Sequence, residues 1–243
     1  MVGEVKVLGV HGSPRRYGES YKLLEIALET AKSEGASTEL VNLYDYKISP
    51  CIGCVSDNVK YCKYPCDVIS DDFPKLARKV LEADAIVFAS PIYWYMVSGV
   101  MKNFIDRLTC FENMIHHTGR SLLEGKVVAF IVTGNDTGAI MAIAWLMVTL
   151  NSMGAIIPPW ALAYYHQKSG NVLEDEQAIL DAANIGKIVV QTAKAVKSIG
   201  VWYDAGLKEF AKNVISSKIS EWQKKQKEEL ESRKQLFGGS HEC

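Results

Sequence analysis

Short β-branched runs that end in small polar loops and then pass into helical spacing recur along this chain, and that alternation restricts the fold more than any other feature. The first unit is the clearest: Val5-Lys6-Val7-Leu8-Gly9-Val10 leads into His11-Gly12-Ser13-Pro14, and helical spacing follows over residues 20–33. A second strand is expected at Thr38-Glu39-Leu40-Val41-Asn42-Leu43, a helix over 73–82, a third strand at Ala85-Ile86-Val87-Phe88-Ala89 and a helix over 99–110. Lys126-Val127-Val128-Ala129-Phe130-Ile131-Val132 reads as a buried fourth strand. An apolar helix up to Met153, a fifth strand at Ala155-Ile156-Ile157 and a helix over 174–199 follow. Strands separated by helices favour a parallel sheet with helices on both faces.

The 243 residues suffice for one such domain, expected over 1–200, with a helical tail over 201–243. In the tail, Leu207, Phe210, Ala211, Val214, Ile215, Ile219 and Trp222 keep helical spacing before a charged run. That pattern fits a solvated final helix or one packed on a second subunit. Hydrophobic content of 48% with 23% charged residues is that of a globular protein. A net charge of −1 supplies no field for nucleic acid or an acidic membrane surface. The longest apolar stretch, residues 139–150, is shorter than the roughly 18 to 20 residues a membrane span needs. The N-terminus runs straight into a strand pattern without the features of a signal peptide, so the expected location is cytoplasmic.

Two loops carry the chemistry. The loop after the first strand, Gly12-Ser13-Pro14-Arg15-Arg16-Tyr17-Gly18-Glu19-Ser20, brings hydroxyls, cations and glycines to a helix start, where free N–H groups and the positive helix end favour a phosphate. The plainer alternative is a tight turn with Ser20 as the helix N-cap. Neither a Gly-Lys-Ser/Thr nor a Gly-x-Gly-x-x-Gly motif is present, which disfavours ATP hydrolysis and dinucleotide binding. The loop after the third strand, Ser90-Pro91-Ile92-Tyr93-Trp94-Tyr95-Met96-Val97-Ser98-Gly99, offers three aromatic side chains to a flat ring. Where a parallel sheet reverses its strand order between the first and third strands, both loops border one crevice.

Gly12-Ser13-Pro14-Arg15 with Gly18 and Ser20, then Ser90-Pro91-Ile92-Tyr93, Gly99, Lys102, Phe104-Ile105-Asp106-Arg107 and Thr133-Gly134, resemble the NADPH-dependent FMN reductase family over about residues 4–200. The resemblance implies a flavodoxin-like, doubly wound, five-stranded parallel sheet, noncovalent FMN, and a homodimer or homotetramer. It implies that Ser13, Arg15 and Ser20 meet the phosphate, that Pro91, Ile92, Tyr93 and Trp94 border the isoalloxazine, and that Thr133 and Gly134 close its far side. Glu19 stands where many relatives carry Asn and is expected to point away from the phosphate.

Cys51, Cys54, Cys62 and Cys66 lie in a loop of little periodicity, residues 49–72. Four thiolates so close could hold a [4Fe–4S] cluster or tetrahedral zinc; the plainer alternatives are small buried residues or a disulfide. Topology puts this loop, which follows the second strand, at the same sheet edge as the two loops above. Its position also resembles the iron-sulfur flavoprotein branch of the family, with Asp57 where the third cysteine of that motif stands. His116-His117 has no ligand-like company, and Met141, Met147 and Met153 are expected to pack the core. Three functions are consistent with these residues. One is an NAD(P)H-dependent FMN enzyme reducing a quinone, flavin or similar acceptor. Another is an electron carrier between FMN and a partner such as ferredoxin, and the last is a zinc-stabilised binding module.

Overall fold

The computed structural model describes residues 4–166, 170–200 and 202–236. The chain divides into two units, Met1–Trp202 and Tyr203–Cys243. The first contains β1 (Val5–His11), α1 (Glu19–Ser33), β2 (Ala36–Asn42), α2 (Cys54–Asp57), α3 (Phe73–Glu82), β3 (Ala85–Tyr93), β4 (Met96–Val97) and α4 (Gly99–Arg107). It continues through α5 (Thr109–Glu112), α6 (Ile115–Thr118), β5 (Val127–Gly134), α7 (Ala139–Ser152), β6 (Leu162–His166) and α8 (Glu176–Val196). Five strands pair in parallel in the order β2-β1-β3-β5-β6, and β4 folds back antiparallel on β3. The fold is the flavodoxin-like α/β sheet.

Period-two alternation sends neighbouring residues of each strand to opposite faces. Leu8, Val10, Phe88, Phe130 and Val132 pack with α3, α4 and α7 on one side, whereas Val7, Val87, Ala89, Ala129 and Ile131 pack with α1 and α8 on the other. The two faces differ in bulk. Phe88 and Phe130 stack at 6.3 Å on the first, while Gly9 on the second has Leu28 Cδ1 2.8 Å from where a Cβ would sit. Small residues let α1 and α8 lie close to the sheet and to each other.

The fifth strand lies further along than its expected place. Ala155-Ile156-Ile157 makes a single bridge, Ile156 to Val127, because Pro158 and Pro159 follow and cannot donate to a ladder. The chain turns through Trp160 at φ 62°, and Leu162–His166 supplies the full pairing with Phe130 through Gly134. The third strand runs on to Tyr93, so part of the expected loop is a small hairpin. Met141 is not in the core: with Ile140 and Val148 it stands exposed on the outer side of α7, since a helix apolar all round can bury only one face against a sheet. In the second unit, α9 (Leu207–Leu236) exposes Leu207, Phe210, Ile215, Ile219 and Trp222.

Gly186 marks the closest helix contact: a Cβ there would fall 2.1 Å from the Ala27 carbonyl oxygen of α1. Gly186→Ala should therefore destabilise the domain by about 1 to 3 kcal/mol through overpacking against backbone, despite its better helix propensity; urea unfolding measures it, and an unchanged or raised midpoint would refute the close contact.

Candidate functional site

The loop after β1 is held by its backbone. Gly12 N–H donates to the Ala89 carbonyl at 2.8 Å, and the Gly12 carbonyl accepts from Ser98 Oγ at 2.6 Å. A Cβ on Gly12 would lie 3.0 Å from Met101 Cε and 3.1 Å from Ser98 Oγ. Beyond it the chain curls, with Arg15 N–H on Ser13 Oγ at 3.1 Å and Gly18 N–H on the Arg15 carbonyl at 3.2 Å. Gly18 is the N-cap of α1, and no side chain caps that end, leaving the first N–H groups of a 15-residue helix open. Ser20 is thus not the cap. It lies within the first turn, its hydroxyl 3.1 Å from His11 Nε2.

Loops from the carboxyl ends of β1, β3 and β5 enclose a cleft of about 320 Å³. Eight of the nine residues expected at the FMN line it: Ser13, Arg15, Ser20, Pro91, Ile92, Tyr93, Thr133 and Gly134. Trp94 instead lines an adjoining cleft. Glu19 also lines the cleft, its carboxylate accepting from Val172 N–H and pairing with Lys22 Nζ at 2.8 Å. Arg16 is drawn off to Asp45, so Arg15 is the arginine that lines the cleft. Tyr165 and Gly170 also line it. They escaped the sequence reading because the fifth strand was set too early; the alternation in Leu162-Ala163-Tyr164-Tyr165-His166 was the signal.

His11 is fully buried, and its Nδ1 has no partner among the described residues. Burial lowers its pKa from 6.5 to about 4, so at neutral pH an uncharged imidazole holds the Ser20 hydroxyl.

The cysteine loop is anchored by one buried ion pair. Arg107 Nη1 lies 2.7 Å from Asp71 Oδ2, both side chains without solvent exposure. The same guanidinium donates to the Ser49 carbonyl at 3.3 Å, the Cys66 carbonyl at 3.1 Å and Cys66 Sγ at 3.3 Å, so it ties both ends of the loop together. Burial pushes the Asp71 carboxyl up, but the bonds from Arg107, Ser49 N–H and Phe73 N–H outweigh it and hold the pKa below the usual value. Asn113 Nδ2 and His117 Nε2 meet the Cys62 carbonyl at 2.6 and 3.0 Å. The segment from α4 through α6 thus presents Arg107, Asn113 and His117 to one loop.

Burial, reinforced by the charges that Cys54, Cys66 and Cys51 would carry, pushes the Cys62 thiol up to about 12. A hydrogen bond with Cys110 and then Arg107 bring Cys66 down to about 6 against burial. The Cys62 thiol lies near Cys54 and the Cys66 thiol near Cys110, a fifth free thiol that its sequence isolation concealed. Among the described residues, no three His, Cys, Asp or Glu side chains are gathered as a metal-holding group. The donor set suits a soft metal, while its placement is two thiol pairs rather than a closed cage.

Two outcomes follow from these buried groups. Asp71→Asn should cost about 3 to 5 kcal/mol, because it leaves the Arg107 charge buried without its partner; chemical denaturation reads it, and a loss below 1 kcal/mol would contradict the burial of the pair. For His11, the unfolded imidazole titrates near 6.5 and the folded one near 4. The unfolded state therefore holds more protons between those values, and stability falls by about 3 kcal/mol as pH drops through that window. A His11→Gln variant followed by urea unfolding at several pH values should lose that portion of the slope.

The sequence pattern of the NADPH-dependent FMN reductase family matches residues 5–168. An iron-sulfur flavoprotein of Methanocaldococcus jannaschii is 31% identical over 201 residues, covering 79% of this chain and 100% of the relative. Another, from Archaeoglobus fulgidus, is 35% identical over 154 residues, 63% of this chain and 66% of its own length. Among solved structures, RosB with a bound riboflavin-phosphate intermediate superposes with a TM-score of 0.71 at 21% identity, covering 88% of this chain and 87% of that one. The family match spans the strands and loops that build the cleft, and the chain belongs to the NADPH-dependent FMN reductase family of flavin-dependent oxidoreductases.

Proposed function

We propose that this chain is an FMN-dependent oxidoreductase that takes hydride from NAD(P)H and reduces a quinone, flavin or similar small acceptor. The observation that carries this reading is the convergence of three loops on one cleft, with an uncapped helix end, Arg15 and the buried residues Ser13, Ser20 and Thr133 on its wall. The donors fit a phosphate: Ser13, Arg15, Ser20 and the open N–H groups at the start of α1 would hold it. Pro91, Ile92 and Tyr93 would border the ring on one side, and Thr133 and Gly134 on the other. A Cβ on Gly134 would fall 2.9 Å from Ile92 Cδ1, so glycine there lets the loops after β3 and β5 close on each other beside the cleft.

Bound FMN would supply the hydride chemistry. The chain's part is to bind, orient and shield. His11 holds the Ser20 hydroxyl as a neutral group. Glu19, an acid beside a phosphate site, is neutralised by Lys22 and engaged by Val172 N–H. No side-chain acid or base is required within the cleft.

A second reading is favoured by the cysteine loop, whose four cysteines fall within 16 residues and are all free. Cys51, Cys54, Cys62 and Cys66 would then hold a [4Fe–4S] cluster or zinc, and with a cluster the protein would carry electrons between FMN and a protein such as ferredoxin. Loading would require Cys51, Cys54, Cys62 and Cys66 to draw together, with Cys66 leaving Cys110. Anaerobic purification with an absorption spectrum and metal analysis separates the readings. Bleaching of the flavin spectrum by NADH or NADPH supports the reductase; bleaching by reduced ferredoxin alone, with iron and sulfide present, supports the carrier. A preparation unable to take up FMN would sink both. Within the reductase reading, Arg15→Ala should weaken FMN binding by about 1.5 to 3 kcal/mol, the usual worth of a charged hydrogen bond, as measured by fluorescence titration.

A further inference from the structure

Beside the first cleft lies another of about 430 Å³, and part of its wall is strained backbone. Ile92 pairs with Val97 and Tyr93 with Met96 between β3 and β4, leaving Trp94 and Tyr95 as a two-residue turn. Both have positive φ, 50° and 68°, as in a type I′ turn, whose central positions favour Asn and Gly. A bulky L residue resists this conformation because its Cβ crowds the backbone carbonyl. The turn itself gains nothing from aromatic residues, yet it displays them: Trp94 is 91% exposed, Tyr93 47% and Tyr95 45%. The loop after β5 braces the hairpin from the other side. Gly138, at φ 97°, would place a Cβ 2.9 Å from Tyr95 Cα. With glycine there, the segment carrying Asn135, Asp136 and Thr137 lies flush against the aromatic wall.

The two clefts share Ile92, Tyr93 and Asn135 but differ in charge. Arg15 and Glu19 line the first, Glu19 being paired with Lys22; Asp136 is the charged residue lining the second, which has no lysine or arginine on its wall among the described residues. Aromatic faces attract flat rings and cations, and the carboxylate adds to the attraction for a cation and repels an anion. The phosphates of a dinucleotide would find no cation here. Resting on the oxidoreductase reading above, we propose that this second cleft is the electron acceptor's docking site and that it takes flat aromatic acceptors, uncharged or cationic, and disfavours anionic ones. An uncharged quinone docked there leaves as the hydroquinone: the hydride originating on NAD(P)H brings two electrons and one proton, and water supplies the second proton.

The test is equilibrium binding of two flat dyes, cationic thionine and anionic anthraquinone sulfonate, to protein with and without FMN at low salt, read from the dye absorption shift. Thionine should bind about tenfold more tightly, the effect of one nearby charge partly screened by water. Asp136→Asn should remove most of that preference while leaving FMN affinity unchanged. Trp94→Gly should weaken both dyes about tenfold through lost stacking and yet raise the urea midpoint, because glycine relieves the positive φ. A tryptophan with only a structural role would move both quantities in the same direction. Equal affinity for the two dyes, a preference that survives Asp136→Asn, or dye binding indifferent to Trp94→Gly overturns the proposal. So does exclusion of both dyes from the wild-type protein, the result expected if a second copy of the chain covers Trp94. A chain that takes up no FMN but keeps this pattern overturns the oxidoreductase reading and leaves the ligand class standing; one that takes up FMN and lacks the pattern overturns the ligand class alone.

Discussion

Gly12 is held from both sides, and the geometry of the site depends on that. Its N–H is committed to Ala89 of β3 and its carbonyl to Ser98 at the start of α4, while Met101 occupies the space a side chain would need. Ser98 N–H is in turn held by Ser90 Oγ at 3.0 Å. The loop after β1 and the loop after β3 are therefore one hydrogen-bonded unit, not two neighbours that happen to face each other. That unit sits where strand order reverses between β1 and β3, the position at which parallel sheets leave a crevice.

Charge is distributed along this edge in separate compartments. Arg15 is left without a carboxylate partner among the described residues, whereas Arg16 and Lys22 are each paired with an acid. Arg107, the one fully buried cation among the described residues, holds the cysteine loop, with Asp71 balancing it. Arg15 is therefore the cation on the wall of the first cleft, where Glu19 is already paired with Lys22. A carboxylate, Asp136, lines the adjoining cleft, and a cation-braced thiol group lies in the cysteine loop. Low dielectric strengthens the buried Arg107–Asp71 pair in particular, which keeps that cation committed to the cysteine loop.

The order of elements and most of the first cleft were legible in the sequence, for physical reasons. Buried parallel strands are β-branched runs, and Gly12, Gly18 and Gly134 punctuate them at their carboxyl ends, so the loops could be named and assigned to one edge. What was not legible depended on non-local contacts. Ala155-Ile156-Ile157 has the composition of a strand, and only the missing donors of Pro158 and Pro159 displace the pairing to Leu162–His166. Cys110 looked isolated because its partner Cys66 is distant in sequence, across a loop whose path no periodicity records. Glu19 lines the cleft while bonded to Val172 N–H, and that partner follows from tertiary packing alone.

The positive-φ aromatics and the helix end connect these points. A fold this regular has no structural need for Trp94 and Tyr95 in left-handed conformations, nor for an α1 N-terminus without a side-chain cap. Each departs from what local stability favours, and both lie at the same end of the sheet, where local and global preferences conflict. The core beneath them does not compromise: Phe88, Phe104, Phe111 and Phe130 are buried to within about one percent, and that packing is rigid enough to hold strained residues in place. Trp160 and Cys66 also have positive φ, at a strand entry and in the cysteine loop, but only Trp94 and Tyr95 among the described non-glycine residues stand as adjacent left-handed aromatics, and the second cleft is built on them.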